Sequence, residues 1–245
     1  MPRFFVASPL VAGEIMPLPD DVVRHVHVLR LQLDDTVYLF NGSGGEYRAH
    51  LVEIGKRTAT VQLDEFTERE AEPPYRVTLA QGVAGGDKMD WLIEKAVELG
   101  VTSVVPLTAE RGVVRLSGER AARRQGHWQA LVRAACEQCE RNRVPDVATP
   151  QDVDKWLGNL PPAEDGELRL LLSPRAQLGF ASLPASAPTA PVTIAIGPEA
   201  GFSPAEEATI VDAGFVTLGL GPRVLRTETA GMAVLAALAA RWGGW

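Results

Sequence analysis

The sequence predicts an α/β protein with a mainly parallel sheet, preceded by a small, mostly β module. Three observations carry this. From Arg76 onward, apolar strand-like runs alternate with helical segments, the pattern of a parallel sheet covered on both faces. Before that point, three strand-like runs follow one another with only turns between them. Between the two patterns stands Pro73-Pro74, a stiff linker. The boundary therefore falls there, giving modules of 1–72 and 73–245.

In the first module, residues 3–7 read as a short strand. Asp20 is placed to cap a helix through Val22, Val23, Val26 and Leu29, whose spacing is helical. His25 and His27 stand two apart on that helix. They cannot share a face as metal ligands would, and read as surface or interface residues. Strand character returns at Thr36–Phe40, Glu46–Ile54 and Thr58–Leu63, with Asn41-Gly42-Ser43-Gly44-Gly45 as the first turn. The polar run Thr67–Glu72 ends the module.

In the second module, Val77–Gln81 reads as a strand and Gly82–Gly86 as a glycine-rich loop. Asp87 is placed to cap a helix over Lys88–Leu99, with Trp91, Leu92, Ala96 and Leu99 on one face and Gly100 as its stop. Thr102–Pro106 is the next strand, Gly118–Arg141 a long helix and Leu168–Leu172 an apolar strand. Ala181–Pro191, rich in Pro, Ala and Ser, is a surface loop. The stretch Val192–Ala240 then repeats one pattern. A strand, Val192–Ile196, breaks on Gly197–Ser203 and leads to a helix over Pro204–Ala213. A second strand, Phe215–Leu220, breaks on Gly221-Pro222 and leads to an alanine- and leucine-rich helix. Ligands of such units sit beyond the carboxyl ends of the strands, so the two loops predict one site made mostly of backbone.

Composition sets further limits. At 245 residues, 46% hydrophobic and 22% charged, the chain suits one large or two small soluble domains. No apolar run approaches the roughly 18 residues of a membrane span, and the N-terminus lacks a signal-peptide core. Two cysteines supply no disulfide framework, so a reducing cytoplasm is the expected compartment. A net charge of -7 argues mildly against a nucleic-acid partner. Residues 110–143 reverse that locally, with eight basic residues, all arginine, against four acids. Such a patch binds phosphate even on an acidic protein; the alternative is a solvated helix face.

Two motifs carry less than their spacing suggests. Cys136-Glu137-Gln138-Cys139 has redox or zinc spacing, yet it lies inside a predicted helix and no second cysteine pair completes a metal site. Glu137 and Arg141 stand at i and i+4 and are placed to brace that helix. Gly197-Pro198-Glu199-Ala200-Gly201 is neither a phosphate-binding loop nor a dinucleotide fingerprint. Ser203-Pro204-Ala205-Glu206 fits a capping box, and Thr227 or Thr229 fits a helix cap. These patterns alone point to a cytosolic α/β enzyme with an anionic or nucleotide-like ligand.

Short pieces spread over nearly the whole chain carry a resemblance. They include Arg3-Phe4-Phe5, His27-Val28-Leu29-Arg30, Gly85-Gly86-Asp87-Lys88-Met89-Asp90 and Glu94 through Val101. They continue with Glu110-Arg111, Glu137 through Arg141, Gly197-Pro198-Glu199 and Leu225-Arg226-Thr227-Glu228-Thr229-Ala230. In order and spacing the chain resembles the ribosomal RNA small subunit methyltransferase E family, a branch of the SPOUT methyltransferases. One departure stands out. The family usually has two glycines after the glutamate, where this chain has Ala200-Gly201. A methyl group there tightens the loop or excludes a positive φ.

The resemblance implies a PUA-like, RNA-holding β-barrel over 1–72 and a SPOUT domain over 73–245 whose C-terminal part threads a deep trefoil knot. It implies a homodimer that binds S-adenosylmethionine, takes 16S ribosomal RNA or the small subunit as substrate, and forms N3-methyluridine, without a metal. Donor-binding positions carried over are Leu172, Ile196, Gly197, Glu199, Gly201, Leu218, Gly219, Leu225, Arg226 and Thr229. Arg226 is the expected stabiliser of charge on the uracil carbonyls, and Glu228 or Glu199 the proton acceptor. Arg3, Arg30, Arg111, Arg115, Glu137, Gln138 and Arg141 are the expected RNA-binding residues. The alternative, prompted by Ala200, is an inactive RNA-binding or assembly factor of the same fold.

Overall fold

A computed structural model describes residues 1–245, which form two compact units. One comprises Met1–Glu72 together with Cys136–Val144; the other comprises Pro73–Ala135 and Pro145–Trp245.

The first unit contains β1 (Arg3–Phe5), β2 (Ile15–Pro17), α1 (Asp20–Val28), β3 (Thr36–Phe40), β4 (Glu46–Ile54) and β5 (Ala59–Thr67). Its sheet runs β1-β3-β4-β5-β2, with β1 parallel to β3 and the other pairs antiparallel. The ladder is open between β1 and β2, so hydrogen bonding does not close the expected barrel. Alternate residues point inward, as a half-buried sheet requires: Val37 and Leu39, Ala49 and Leu51, Val61 and Leu63 are buried. Val22, Val23 and Val26 of α1 pack on them. Leu29, expected on that face, is the C-cap and lies exposed. Asp20 opens the helix, but the N-cap is Pro19 and no side chain caps it.

The second unit contains β6 (Val77–Gly82), α2 (Lys88–Glu98), β7 (Ser103–Thr108), most of α3 (Gly118–Cys139), β8 (Asp146–Val147), β9 (Gln151–Asp152), α4 (Val153–Gly158), β10 (Leu168–Leu172), β11 (Val192–Ile196), α5 (Pro204–Asp212), β12 (Val216–Leu218) and α6 (Thr227–Trp242). The sheet order is β12-β10-β11-β6-β7-β8, with β9 also on β7, and every pairing is parallel. All five residues of β11 are buried, as expected of a central strand covered on both faces. Phe202, Ile210 and Phe215 close one face with Trp156, whose ring meets Phe215 edge-on at 5.4 Å.

Three sequence expectations need correction. Trp91 is 47% exposed; the buried face of α2 is Met89, Leu92, Ile93, Ala96 and Val97. The long helix ends at Cys139, not Arg141, because Glu140 takes a φ of 63° and turns the chain. The segment between α3 and β10, which shows no clear period, holds β8, β9 and α4. The last is a single short helix capped by Asp152, whose carboxylate accepts the Lys155 amide at 2.7 Å.

Candidate active site

Four parallel strands end side by side. The register aligns Leu172 with Leu218 and Ile196 with Gln81, so the last residues of β10, β12 and β11 and the next-to-last of β6 stand at one edge of the sheet. The loops leaving that edge wall a cavity of about 510 Å³. That volume lies within the roughly 300–1,000 Å³ of small-molecule sites. Leu172, Ile196, Gly197, Glu199, Gly201, Leu218, Leu225 and Arg226 all line it. Gly219 and Thr229 do not. The Gly219 amide is engaged by the Leu178 carbonyl at 2.8 Å, and Thr229 lies on the exposed side of α6.

The loop after β11 is shaped by its glycines and its cap. Gly201 takes a φ of 71°, a conformation that favours glycine. At Gly197 an added Cβ would stand 2.7 Å from the Phe202 nitrogen, so the chain folds back on itself too tightly for a side chain. Ala200 is exposed and its φ is not positive, which removes the strain its methyl group raised. Ser203 then caps α5 through a full capping box with Glu206 and a proline in the first turn. The same Glu206 carboxylate accepts the Glu110 amide at 2.7 Å, which holds the neighbouring Arg111 at the cavity wall.

Glu199 faces the opposite loop. Its Oε1 accepts the Gly85 amide at 3.0 Å and the Lys88 ammonium at 3.1 Å. Partial burial pushes its pKa up, but bonds from its own amide, the Gly85 amide and Lys88 outweigh that and hold it below the usual carboxylate value. Glu199 is thus a weakened base that latches two loops together. Glu228 does not line the cavity; it is half-buried in the first turn of α6, and its Oε2 is buried without a hydrogen-bond partner. Arg226 is the N-cap residue of α6, exposed, and makes no cap bond with its side chain. Arg175 and Glu207, which also line the cavity, pair through one guanidinium nitrogen, Nη2, which donates to both carboxylate oxygens at 2.8 and 2.9 Å.

The residues expected at RNA divide into two groups. Arg30, Arg111, Arg115 and Gln138 are exposed, with Arg115 donating to the Glu110 carbonyl. The others do internal work in the first unit. Arg3 is only 8% exposed and binds Glu46 and Asn142, each at 2.5 Å. Arg141, 3% exposed, meets Glu72 with two guanidinium nitrogens. Glu137 accepts the Phe5 amide at 2.8 Å; burial raises its pKa, against that bond. These charges serve packing, and a phosphate would have to break the pairs to reach them. Cys136 is buried and its thiol is pushed up to about 12 by that burial, which disfavours the reactive thiolate there.

Reasoning from sequence missed Lys88, Gln81 and Thr227. Lys88 stood in plain view after Gly85-Gly86-Asp87. Gln81 left a trace as a polar residue ending an apolar strand. Thr227 was read only as a possible cap.

Residues 71–239 match the RNA methyltransferase domain family and residues 18–64 the RNA methyltransferase PUA domain family. The ribosomal RNA small subunit methyltransferase E of Bacillus subtilis is 31% identical over 97% of this chain and 96% of its own. That of Synechocystis is 34% identical over 85% of this chain and 67% of its own. The structure of the Neisseria gonorrhoeae enzyme of that name, bound to S-adenosyl methionine, superposes with a TM-score of 0.91 at 36% identity, covering 99% of this chain and 98% of that one. A putative methyltransferase from Legionella pneumophila, in complex with the bound cofactor SAM, gives 0.90 at 33% identity, covering 97% and 96%. Over nearly its full length, then, the chain belongs to the ribosomal RNA small subunit methyltransferase E family.

Proposed function

We propose that the protein is an S-adenosylmethionine-dependent methyltransferase of small-subunit ribosomal RNA that forms N3-methyluridine. The observation that carries this is the cavity at the ends of β10, β11 and β12, walled by the two glycine-bearing loops. Its character fits the donor. Leu172, Ile196, Leu218 and Leu225 give apolar surface, while the tight turn at Gly197 and Gly201 exposes backbone where an adenosine needs close approach. When bound, S-adenosylmethionine supplies a methyl group activated by its sulfonium.

The protein's own contribution is orientation and charge. Uracil N3 carries a proton at neutral pH, and losing it spreads negative charge over the two ring carbonyls. Arg226, exposed at the cavity wall, is the cation to stabilise that charge. The proton passes to water, because Glu199 is engaged by Gly85 and Lys88 and Glu228 stands outside the cavity wall. The base must be unpaired to expose N3, so an extruded uridine is the substrate. Phosphate contacts fall to Arg30, Arg111 and Arg115. On this reading the chain acts in the cytoplasm as a homodimer on 16S RNA or the small subunit, and its C-terminal part threads the trefoil knot of the superfamily. Its parallel strand order, β12-β10-β11-β6, agrees with that architecture.

The test is direct. The purified protein is incubated with methyl-labelled S-adenosylmethionine and small-subunit particles or RNA from a strain lacking it, and nucleosides are separated by mass spectrometry. Label in N3-methyluridine is the expected result. Donor binding with no label in any nucleoside would support the inactive alternative.

A further inference from the structure

From the cavity wall, where Thr227 is one of the lining residues, a chain of buried polar groups runs inward that the chemistry above does not use. Gln81, at the end of β6, is fully buried, and Thr227, the first residue of α6, is 6% exposed. The Thr227 hydroxyl donates to the Gly197 carbonyl at 2.6 Å. Its one proton is spent there, so it can only accept from Gln81 Nε2, 2.8 Å away. The second Nε2 proton goes to the Gly82 carbonyl at 2.9 Å. Both neighbours of Nε2 are therefore acceptors in this arrangement, and flipping the amide would set oxygen against oxygen at each. The orientation is fixed, and Gln81 Oε1 is left buried without a partner.

A buried polar group without a partner is costly. An apolar side chain at position 81 would avoid that cost but would take the donor from the Thr227 hydroxyl and the Gly82 carbonyl, so the glutamine serves the groups it joins. What the three groups join is informative. Gly197 opens the first loop of the cavity; Thr227 directly follows Arg226 and ends the second. Gly231, one turn further along α6, faces the same groups: a Cβ there would make ordinary contact, 3.6 Å from Ile196 Cδ1 and 3.8 Å from Gln81 Oε1.

We infer that Thr227 and Gln81 are positioning residues of the methyl-donor site: their relay holds the Gly197 carbonyl and the start of α6, with Arg226, in the one arrangement that accepts S-adenosylmethionine. The inference rests on the cavity being the donor site. Neither residue contacts the reacting atoms on this account. Both act through the loops they join.

Calorimetry with S-adenosylmethionine on the full-length protein tests this, with Thr227→Val, Thr227→Ser and Gln81→Leu, each checked for folding by thermal melting. Thr227→Val keeps the shape and removes the hydroxyl; losing its bond to Gly197 should weaken donor binding by about tenfold or more. Thr227→Ser restores the hydroxyl and should bind within about threefold of the parent. Gln81→Leu, which leaves the Thr227–Gly197 bond, should fall between the two. A purely structural role would lower the melting temperature of Thr227→Val while leaving donor affinity of the folded protein unchanged. If Thr227→Val and Gln81→Leu both fold and bind like the parent, the relay does not position the donor. Should Thr227→Val fail to fold, unchanged affinity in Gln81→Leu overturns the inference alone. If the parent itself binds no donor, the reading of the cavity fails first, and this inference with it.

Discussion

Gly82→Ala probes how the cavity wall is built from behind. Gly82 ends β6, is buried and does not line the cavity. A Cβ there would stand 2.3 Å from the Pro198 nitrogen, 2.5 Å from its Cδ and 2.8 Å from the Gly197 carbonyl carbon. Real Cβ contacts tighter than 3.0 Å essentially never occur. Two of the three atoms are backbone and the third belongs to a ring, so none can rotate away. The loop must retreat by something near an ångström, since a packed interior has no spare volume. Overpacking of this kind costs about 1–3 kcal/mol, which for a chain of this size lowers the melting temperature by roughly 2–12 °C. The larger effect falls on function: displacing wall residues by that distance should reduce methyl transfer by about a hundredfold. Donor calorimetry and initial rates on small-subunit RNA provide the assay. Gly214→Ala is the control. It lies outside the cavity wall and its Cβ meets nothing, so it should show only the roughly 1–2 kcal/mol cost of a side chain at φ 89°. If Gly82→Ala binds the donor and transfers methyl like the parent, close packing of β6 on the Gly197–Pro198 turn does not set the site.

Arg226→Ala should lower kcat by about a hundred- to a thousandfold, the range for removing one preorganised charge stabiliser, with an unchanged melting curve because the residue is exposed. Arg3→Met should cost about 3 kcal/mol, the lower end for breaking a buried pair, because Glu46 in its nearly dry site keeps only the longer contacts from Arg69 and Asn142, each at 3.5 Å; a denaturation curve as stable as the parent's would show the pair to be dispensable. The Glu199 latch has a defined pH sense. Its folded pKa is depressed, so the contribution of Gly85 and Lys88 is complete above the ordinary carboxylate value and lost as pH falls through the lower folded one. Amide exchange at Gly85 should therefore accelerate only at acid pH, and Glu199→Gln should remove that step.

The longer strands were legible because each states a period, whereas the three-residue β2, Ile15–Pro17, does not show in the sequence and β5 runs to Thr67, past the expected Leu63. Alternation in Thr36–Phe40 and Glu46–Ile54, and the unbroken apolar run Val192–Ile196, leave one packing apiece, and the observed bounds agree with the reading. The two loops of the site were legible for a related reason. Glycine and proline after a buried strand leave few conformations, and α/β connectivity brings such loops to one edge. Short elements without a period, such as β8 and β9, left no such trace.

The roles of charged side chains were not legible, and the arginines show why. Arg3 and Arg141 look in sequence like Arg111 and Arg115: cations in short motifs. What separates them is the return of Cys136–Val144 to the first unit, which sets Asn142 against Arg3 across 139 positions of sequence and Arg141 against Glu72 across 69. No local pattern encodes such pairings, because each depends on where a distant turn, here Glu140 at φ 63°, sends the chain. Gln81 and Thr227 illustrate the same limit from the other direction. Each reads locally as a strand end or a helix cap, and only the tertiary fold sets Gln81 beside Ile196 across the β6–β11 register and brings Thr227 of α6 between Gln81 and the Gly197 carbonyl. Motif reading in this fold therefore finds the backbone of a site sooner than the buried side chains that hold it in shape.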